Sequence, residues 1–142
     1  MRHGGWVAWG LAVAMASACT SAGKHETAAL SDAMDRYRRA DDAQREAMGR
    51  AVAAVSCSEP RVCEAKASCL AAIEPTDRAF ALKAEVERRL ADIEGKRLDP
   101  DAPEAQALPG KLDEAKKLID EARGNMALCD RQLADLHLAF GS

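Results

Sequence analysis

The chain has 142 residues, of which 48% are apolar and 30% charged, and its formal net charge is −3 at pH 7. This length suffices for one folded domain with one core and is short for two. An acidic chain without a basic stripe lacks the usual nucleic-acid-binding surface, so we expect no nucleic-acid partner. The longest apolar run, residues 6–18, is shorter than the ~20 residues that a transmembrane helix needs.

Residues 1–18 are typical of an export signal. Met1-Arg2-His3 form a short basic start, residues 6–15 are apolar, and Ala16-Ser17-Ala18 has the small residues of a cleavage site. Cleavage after this site would make Cys19 the first residue of the mature protein.

This arrangement resembles the signal peptide of bacterial lipoproteins, in which the cysteine thiol is acylated and becomes the mature N-terminus. The resemblance implies that Cys19 is the lipid attachment site and that its fatty chains hold the protein on a membrane. Thr20 follows the cysteine, as in lipoproteins sorted to the outer membrane, where the protein would face the periplasm. Lipoprotein signals usually have Leu at the position of Ala16, and an ordinary signal peptidase would also accept this site and leave Cys19 as a free thiol. Both interpretations predict export to the bacterial cell envelope.

The first part of the mature chain is expected to be a tether followed by a long helix. Residues 19–26 are small and polar, and predict a lipidated tether ahead of a helical bundle domain over 27–142. A first helix is expected over 27–55, because its apolar residues lie on one helical face. Asp41 and Gln44 interrupt that face, and predict either a polar layer that fixes helix register or a solvated surface.

The next segment predicts two helices separated by a proline. Ser58 is an N-cap residue and Pro60 suits a first helical turn, so a second helix is expected to begin there. The residue before Pro75 is disfavoured in the helical conformation, which ends this helix. A third helix is expected over 76–94, with Gly95 as its C-cap.

The last helix has the most regular pattern in the chain. It follows a connector over 96–107 whose two prolines argue against a continuous helix. Its apolar positions alternate four and three apart, and such a seven-residue repeat predicts a packing seam with neighbouring helices. The seam positions are Leu108, Leu112, Ala115, Ile119, Ala122, Met126, Cys129, Leu133, Leu136 and Phe140. No segment alternates with the period of a strand, so the sequence predicts an all-α fold, an up-and-down bundle of about four helices.

Four further cysteines, Cys57, Cys63, Cys69 and Cys129, predict disulfide bonds in an exported protein. Six residues of helix rotate a side chain by ~240° and raise it by ~9 Å, so Cys63 and Cys69 on one helix cannot pair. The antiparallel return of the last helix brings Cys129 to the level of Cys69. We therefore expect Cys57–Cys63 and Cys69–Cys129. The alternative, Cys57–Cys69 with Cys63–Cys129, requires a broken second helix.

The sequence contains no nucleophile elbow, no glycine-rich phosphate loop and no H-E-x-x-H zinc helix. We expect no catalytic residues, no metal, no cofactor and no enzymatic activity. An anchor combined with helical seams favours a non-catalytic protein that binds another envelope protein or assists its assembly. Two alternatives stay open. One is a structural envelope protein that self-associates through the long seam, and the other is a secreted hydrolase inhibitor that uses the connector over 96–107.

Overall fold

A computed structural model describes residues 14–141, and their side chains from residue 21 onward. Residues 1–13 of the expected signal and the side chain of Cys19 lie outside this description. The elements are α1 (Ala14–Arg39), α2 (Asp42–Ala54), α3 (Pro60–Glu94), α4 (Pro103–Gln106) and α5 (Leu108–Phe140). No residue of the described part is in a strand, which confirms the predicted all-α class.

The four long helices alternate in direction, as expected for an up-and-down bundle. Later residues of α1 contact later residues at the start of and along α3, so these two helices run parallel. Later residues of α1 contact earlier residues of α5, so these two run antiparallel. The first set of contacts is Glu26 with Ser58 and Tyr37 with Asp77, and the second is Ser31 with His137 and Arg38 with Asp130. α2 packs on α1 and α3, and α3 and α5 form a long antiparallel hairpin that α4 helps to close.

The core lies where α1 and α2 cover the lower part of this hairpin. Its side chains are apolar and almost inaccessible to solvent, so their burial is the main stabilising contribution. They are Leu30, Ala33, Met34, Tyr37, Val52, Val62, Ala65, Cys69, Ile73, Cys129, Leu133 and Leu136. We call this end of the molecule, where α3 begins and α5 ends, the base, and the opposite end, around Gly95–Ala102, the tip.

The expected helix boundary at Pro75 is wrong, because α3 continues through it and buries it. Proline lacks the N–H that would bond the carbonyl of Ala71, four residues earlier. In this fold the side chain of Asn125 on α5 donates to that carbonyl across 3.1 Å. The second and third predicted helices are therefore one helix.

The single helix expected over 27–55 is also wrong, because the chain turns between α1 and α2. Asp41 is the N-cap of α2, and its side chain accepts a hydrogen bond of 2.9 Å from the backbone N–H of Gln44. Both side chains are exposed, so they form a solvated surface and not a polar layer between helices. Their spacing is that of a capping box, the signal in the sequence that indicates this helix start.

The tether expected over 19–26 is instead part of α1. Gly23 is buried against Phe140, and a Cβ atom there would lie 2.5 Å from the ring. Glu26 accepts hydrogen bonds from the backbone N–H and hydroxyl of Ser58, at 2.8 and 2.6 Å. These contacts attach the start of the described side chains directly to the base.

Both expected disulfides are present. Cys57 and Cys63 are bonded with their Cα atoms 5.3 Å apart, and Cys69 and Cys129 with theirs 4.8 Å apart. The second bond is fully buried and joins α3 to α5. Because Cys63 and Cys69 lie on one unbroken helix, the alternative connectivity is excluded.

Candidate functional site

α1 fills the seam between α3 and α5 only in the lower part of the hairpin. In the last turns of α1, the Tyr37 hydroxyl donates a hydrogen bond to Asp77 on α3, and Arg38 forms an ion pair with Asp130 on α5. The chain then turns away at Asp41 into α2, which packs on α1 and α3. Above this level the seam between α3 and α5 continues towards the tip without a third helix.

We call this open stretch of the seam the groove. It encloses about 340 Å³ in its upper part and is lined mainly by apolar atoms. Along α5 it extends from Leu112 to Met126, roughly 21 Å of helix. Its apolar lining includes Ala79 and Phe80 on α3 and, from the predicted seam on α5, Leu112, Ala115, Ile119, Ala122 and Met126. The five α5 residues are positions of the predicted packing seam, and this part of the seam has no third helix.

Exposure of the groove residues decides whether they are a surface or a core. Leu112 is 48% exposed, although it holds a seam position. Lower on the same helix, Cys129, Leu133 and Leu136 hold equivalent positions and are buried. Among the seam positions in the groove, Leu112 is exposed, Ala115, Ile119 and Met126 are half-buried, and Ala122 is buried.

The upper groove is bordered by basic side chains. Lys83, Lys116 and Arg123 lie along it with one carboxylate, Asp120, which gives a local formal charge of +2, three basic residues minus one acidic. The whole chain carries −3. Lys116 makes no ion pair within the described part of the chain, whereas Arg123 has an exposed contact of 3.5 Å with Asp120 and Lys83 one of 3.5 Å with Glu87. The upper part of the groove thus has a net positive charge on an acidic protein.

A polar cluster lies beside the groove at Phe80. The Tyr37 hydroxyl donates a hydrogen bond of 2.9 Å to Asp77, and the Arg45 guanidinium lies 4.0 Å from the centre of the Phe80 ring. Burial raises the pKa of Asp77, although the bond from Tyr37 and the charge of Arg45 oppose that shift. Burial, followed by the bond to Asp77, also raises the pKa of Tyr37. The cluster fixes Phe80, a side chain that lines the groove.

Sequence reasoning missed one pairing of reactive residue types. Ser31 Oγ on α1 lies 2.9 Å from Nε2 of His137 on α5, and the two residues are 106 positions apart. Neither residue lines the groove. The partly buried contact joins two helices of the bundle, and no local motif could have indicated it.

The other predicted site residues are structural where they are described. Cys57, Cys63, Cys69 and Cys129 form disulfides, and Cys19 lies outside the described side chains. The connector over 96–107 closes the hairpin, and Gln106 donates a bond of 3.0 Å to the carbonyl of Pro100.

Within residues 14–141, no group of three or more His, Cys, Asp or Glu side chains is arranged to hold a metal ion. None of the described helices is long and apolar enough to span a membrane. In comparisons with known proteins, no family model, no curated protein and no solved structure matches this chain.

Proposed function

We propose that this chain is an exported, lipid-anchored helical protein that binds another envelope protein through the groove and catalyses no reaction. The observation that carries the proposal is the open upper seam, in which the exposed Leu112 and the half-buried Ile119 occupy packing positions without a covering helix. Contiguous apolar surface with a polar border is typical of a protein interaction site. A groove between two helices suits a partner helix, one of the recurring modes of peptide recognition.

The path of α1 supports a helical partner. α1 lies in the lower part of the same seam with its residues Leu30, Met34 and Tyr37 in the core. α1 contacts both α3 and α5, so the seam between these two helices already accommodates one helix. A second helix laid above Tyr37 would continue the bundle along the hairpin.

The two disulfides support the proposed location. Disulfides persist in oxidising compartments such as the bacterial periplasm and are rare in the cytosol. The fully buried Cys69–Cys129 bond is central to the core. A fold that depends on such a bond fits a protein exported to the cell envelope.

The proposed anchor gives the molecule an orientation. α1 is helical through residue 19, and its contacts with the base begin at Gly23. A lipid on Cys19 would therefore hold the base near the membrane, because only a few residues separate the two. α3 has 35 residues and extends ~52 Å, so the tip and the groove would project into the periplasm.

Site-specific photo-cross-linking tests the proposal. A photoreactive amino acid replaces Leu112 in the full-length chain, expressed in its own cells, and replaces Leu90 in the control. These two leucines are 48% and 47% exposed, and only Leu112 lines the groove. We expect an adduct with one other envelope protein from position 112 and none from position 90.

Three results would contradict the proposal. Equal adducts from positions 112 and 90 would mean that the groove is not the binding site. No adduct from either position would mean that no partner occupies it. An adduct with a second copy of the chain would favour the self-associating structural protein. Mass spectrometry of the N-terminal peptide tests the anchor separately, since a lipid on Cys19 adds the mass of its fatty chains.

A further inference from the structure

We infer that the occupant of the groove is an amphipathic α-helix with acidic residues along the edges of its apolar stripe. This inference rests on the proposed function and names the chemistry of the partner. Two observations support it. α1 packs in the lower seam through an apolar stripe with a basic residue at its edge, and the net charge along the border of the seam is positive above that level.

α1 shows what a helix needs in order to occupy this seam. Its apolar residues Leu30, Met34 and Tyr37 recur four and three apart and face the core. At its edge, the basic Arg38 pairs with Asp130 on α5. An apolar stripe with an edge charge opposite to that of α5 is thus the pattern that fits the lower part of the seam.

The charge on the border changes sign above Asp130. The acidic residue that meets Arg38 is followed, towards the tip, by Arg123, Asp120 and Lys116, so this edge of the groove has a net charge of +1, two basic residues minus one acidic. The two basic residues are seven positions apart on α5, which places them on one edge of the groove about 10.5 Å from each other. On α3, at the opposite side of the groove, Lys83 forms an exposed ion pair of 3.5 Å with Glu87. A helix that continues the path of α1 therefore needs carboxylates where α1 has Arg38.

The apolar contacts and the charges have different roles in this recognition. Exposed ion pairs contribute little affinity each, whereas burial of Leu112 and Ile119 against a partner would supply most of it. Complementary border charges accelerate association and reject partners of the wrong sign. Binding should therefore prefer an acidic helix, and the preference should weaken as salt is added.

Two synthetic peptides of about 18 residues, long enough to cover the groove as helices, test the inference. Both have leucines at helical spacing, with flanking glutamates in one and flanking lysines in the other. They are titrated by fluorescence anisotropy against the detergent-solubilised full-length protein. We expect the glutamate peptide to bind about tenfold more tightly at about 50 mM salt, and the difference to shrink at about 200 mM.

Matched variants locate the effect on the groove. Lys116→Glu should weaken binding of the glutamate peptide about fivefold, because an attraction becomes a repulsion. Lys117→Glu makes the same change of charge on the neighbouring exposed residue, which does not line the groove, and should leave binding unchanged. Leu112→Ser should weaken both peptides, and Leu90→Ser neither.

The outcomes separate this inference from the proposed function. Equal binding of both peptides, tighter binding of the lysine peptide, or equal loss in Lys116→Glu and Lys117→Glu would overturn the acidic helix. Binding of neither peptide would also overturn it. In each of these cases an adduct with another protein from position 112, absent from position 90, would still uphold the protein-binding function. Loss of that adduct alone would overturn the function itself.

Discussion

Asn125 on α5 donates a hydrogen bond from Nδ2 to the carbonyl oxygen of Ala71 on α3, across 3.1 Å. Ala71 lies four residues before Pro75, which has no N–H to offer that carbonyl. One residue further along α3, the Thr76 hydroxyl donates to the carbonyl of Ala72 across 2.8 Å. α3 therefore continues through a proline because a side chain of its partner helix replaces the lost backbone bond.

This relationship predicts that Asn125 and Pro75 are energetically coupled. Asn125→Ala should lower the free energy of unfolding by about 1 kcal/mol, since it removes the hydrogen bond between the helices to the carbonyl of Ala71. In a Pro75→Ala background the restored N–H bonds that carbonyl, and the same Asn125→Ala change should cost almost nothing. Urea unfolding of the four proteins measures the coupling as a double-mutant cycle. Equal costs in the two backgrounds would show that Asn125 does not act through Ala71.

The position of Asn125 explains why the sequence misled at Pro75. A residue before proline generally avoids the helical conformation. Here Asn125 donates a hydrogen bond to the carbonyl of Ala71, 54 residues away in the sequence, and no local pattern indicates this contact. The break between α1 and α2 is a different case. Asp41 and Gln44 have the spacing of a helix start. The apolar stripe continues across them, and this continuity predicted one helix instead of two.

The disulfides and the groove show what spacing alone determines. The pairing of Cys69 with Cys129 was predicted from the antiparallel direction of the last helix. It is correct although the second and third predicted helices are one helix, because a break at Pro75 is not needed to bring Cys129 to the level of Cys69. The seam positions on α5 were also predictable. The exposure of Leu112 depends on where α1 ends, so it could not be identified without locating that end at Arg39.

The two disulfides should differ in their contribution to stability. Cys69–Cys129 links residues 60 positions apart, and Cys57–Cys63 links residues 6 apart. In the chain-entropy account, the first stabilises by about 4 kcal/mol and the second by about 2 kcal/mol. Replacing both members of each pair by alanine and measuring chemical unfolding tests this order. A larger loss from the Cys57–Cys63 pair would contradict it.

Glu26 should make the base sensitive to acid. The Ser58 hydroxyl, together with backbone N–H groups of Glu59 and Ser58, holds the pKa of Glu26 below its ordinary value of 4.5, against an opposing effect of burial. The ionised carboxylate therefore contributes its full stability above that ordinary value, and this contribution is lost as pH falls through the lowered pKa of the folded state.

The corresponding variant is Glu26→Gln. Because the carboxylate is largely exposed, we expect a cost of less than about 1 kcal/mol at pH 7 and none at a pH below the lowered pKa. Glu121→Gln is the control, since this glutamate is exposed and has no hydrogen bond or ion pair within the described part of the chain. Thermal unfolding measured across pH distinguishes them. A pH-independent cost of Glu26→Gln would show that the carboxylate charge is not responsible.

Two glycines in helix interiors should respond in opposite directions to alanine. A Cβ atom at Gly124 meets nothing within 4 Å, so Gly124→Ala should stabilise by about 1 kcal/mol through helix propensity. A Cβ atom at Gly49 would lie 3.1 Å from both Asp77 Oδ2 and Ile73 Cγ2, where α2 packs on α3. Gly49→Ala should therefore destabilise by about 1 kcal/mol, because overpacking exceeds the propensity gain. Melting temperatures provide the comparison, and stabilisation by both changes would mean that α2 is not closely packed there.

The open part of the hairpin should also be the part of α5 that opens most readily. Backbone amides over 110–127 lie where α5 is packed on α3 without α1, whereas those over 129–138 lie against the core. Local opening costs less where fewer apolar side chains are buried, so hydrogen exchange should be faster in the first segment. Uniform exchange along α5 would contradict this. If the groove binds a helix, the glutamate peptide should slow exchange over 110–127 and leave 129–138 unchanged, because it would bury Leu112 and Ile119 as α1 buries Leu133 and Leu136.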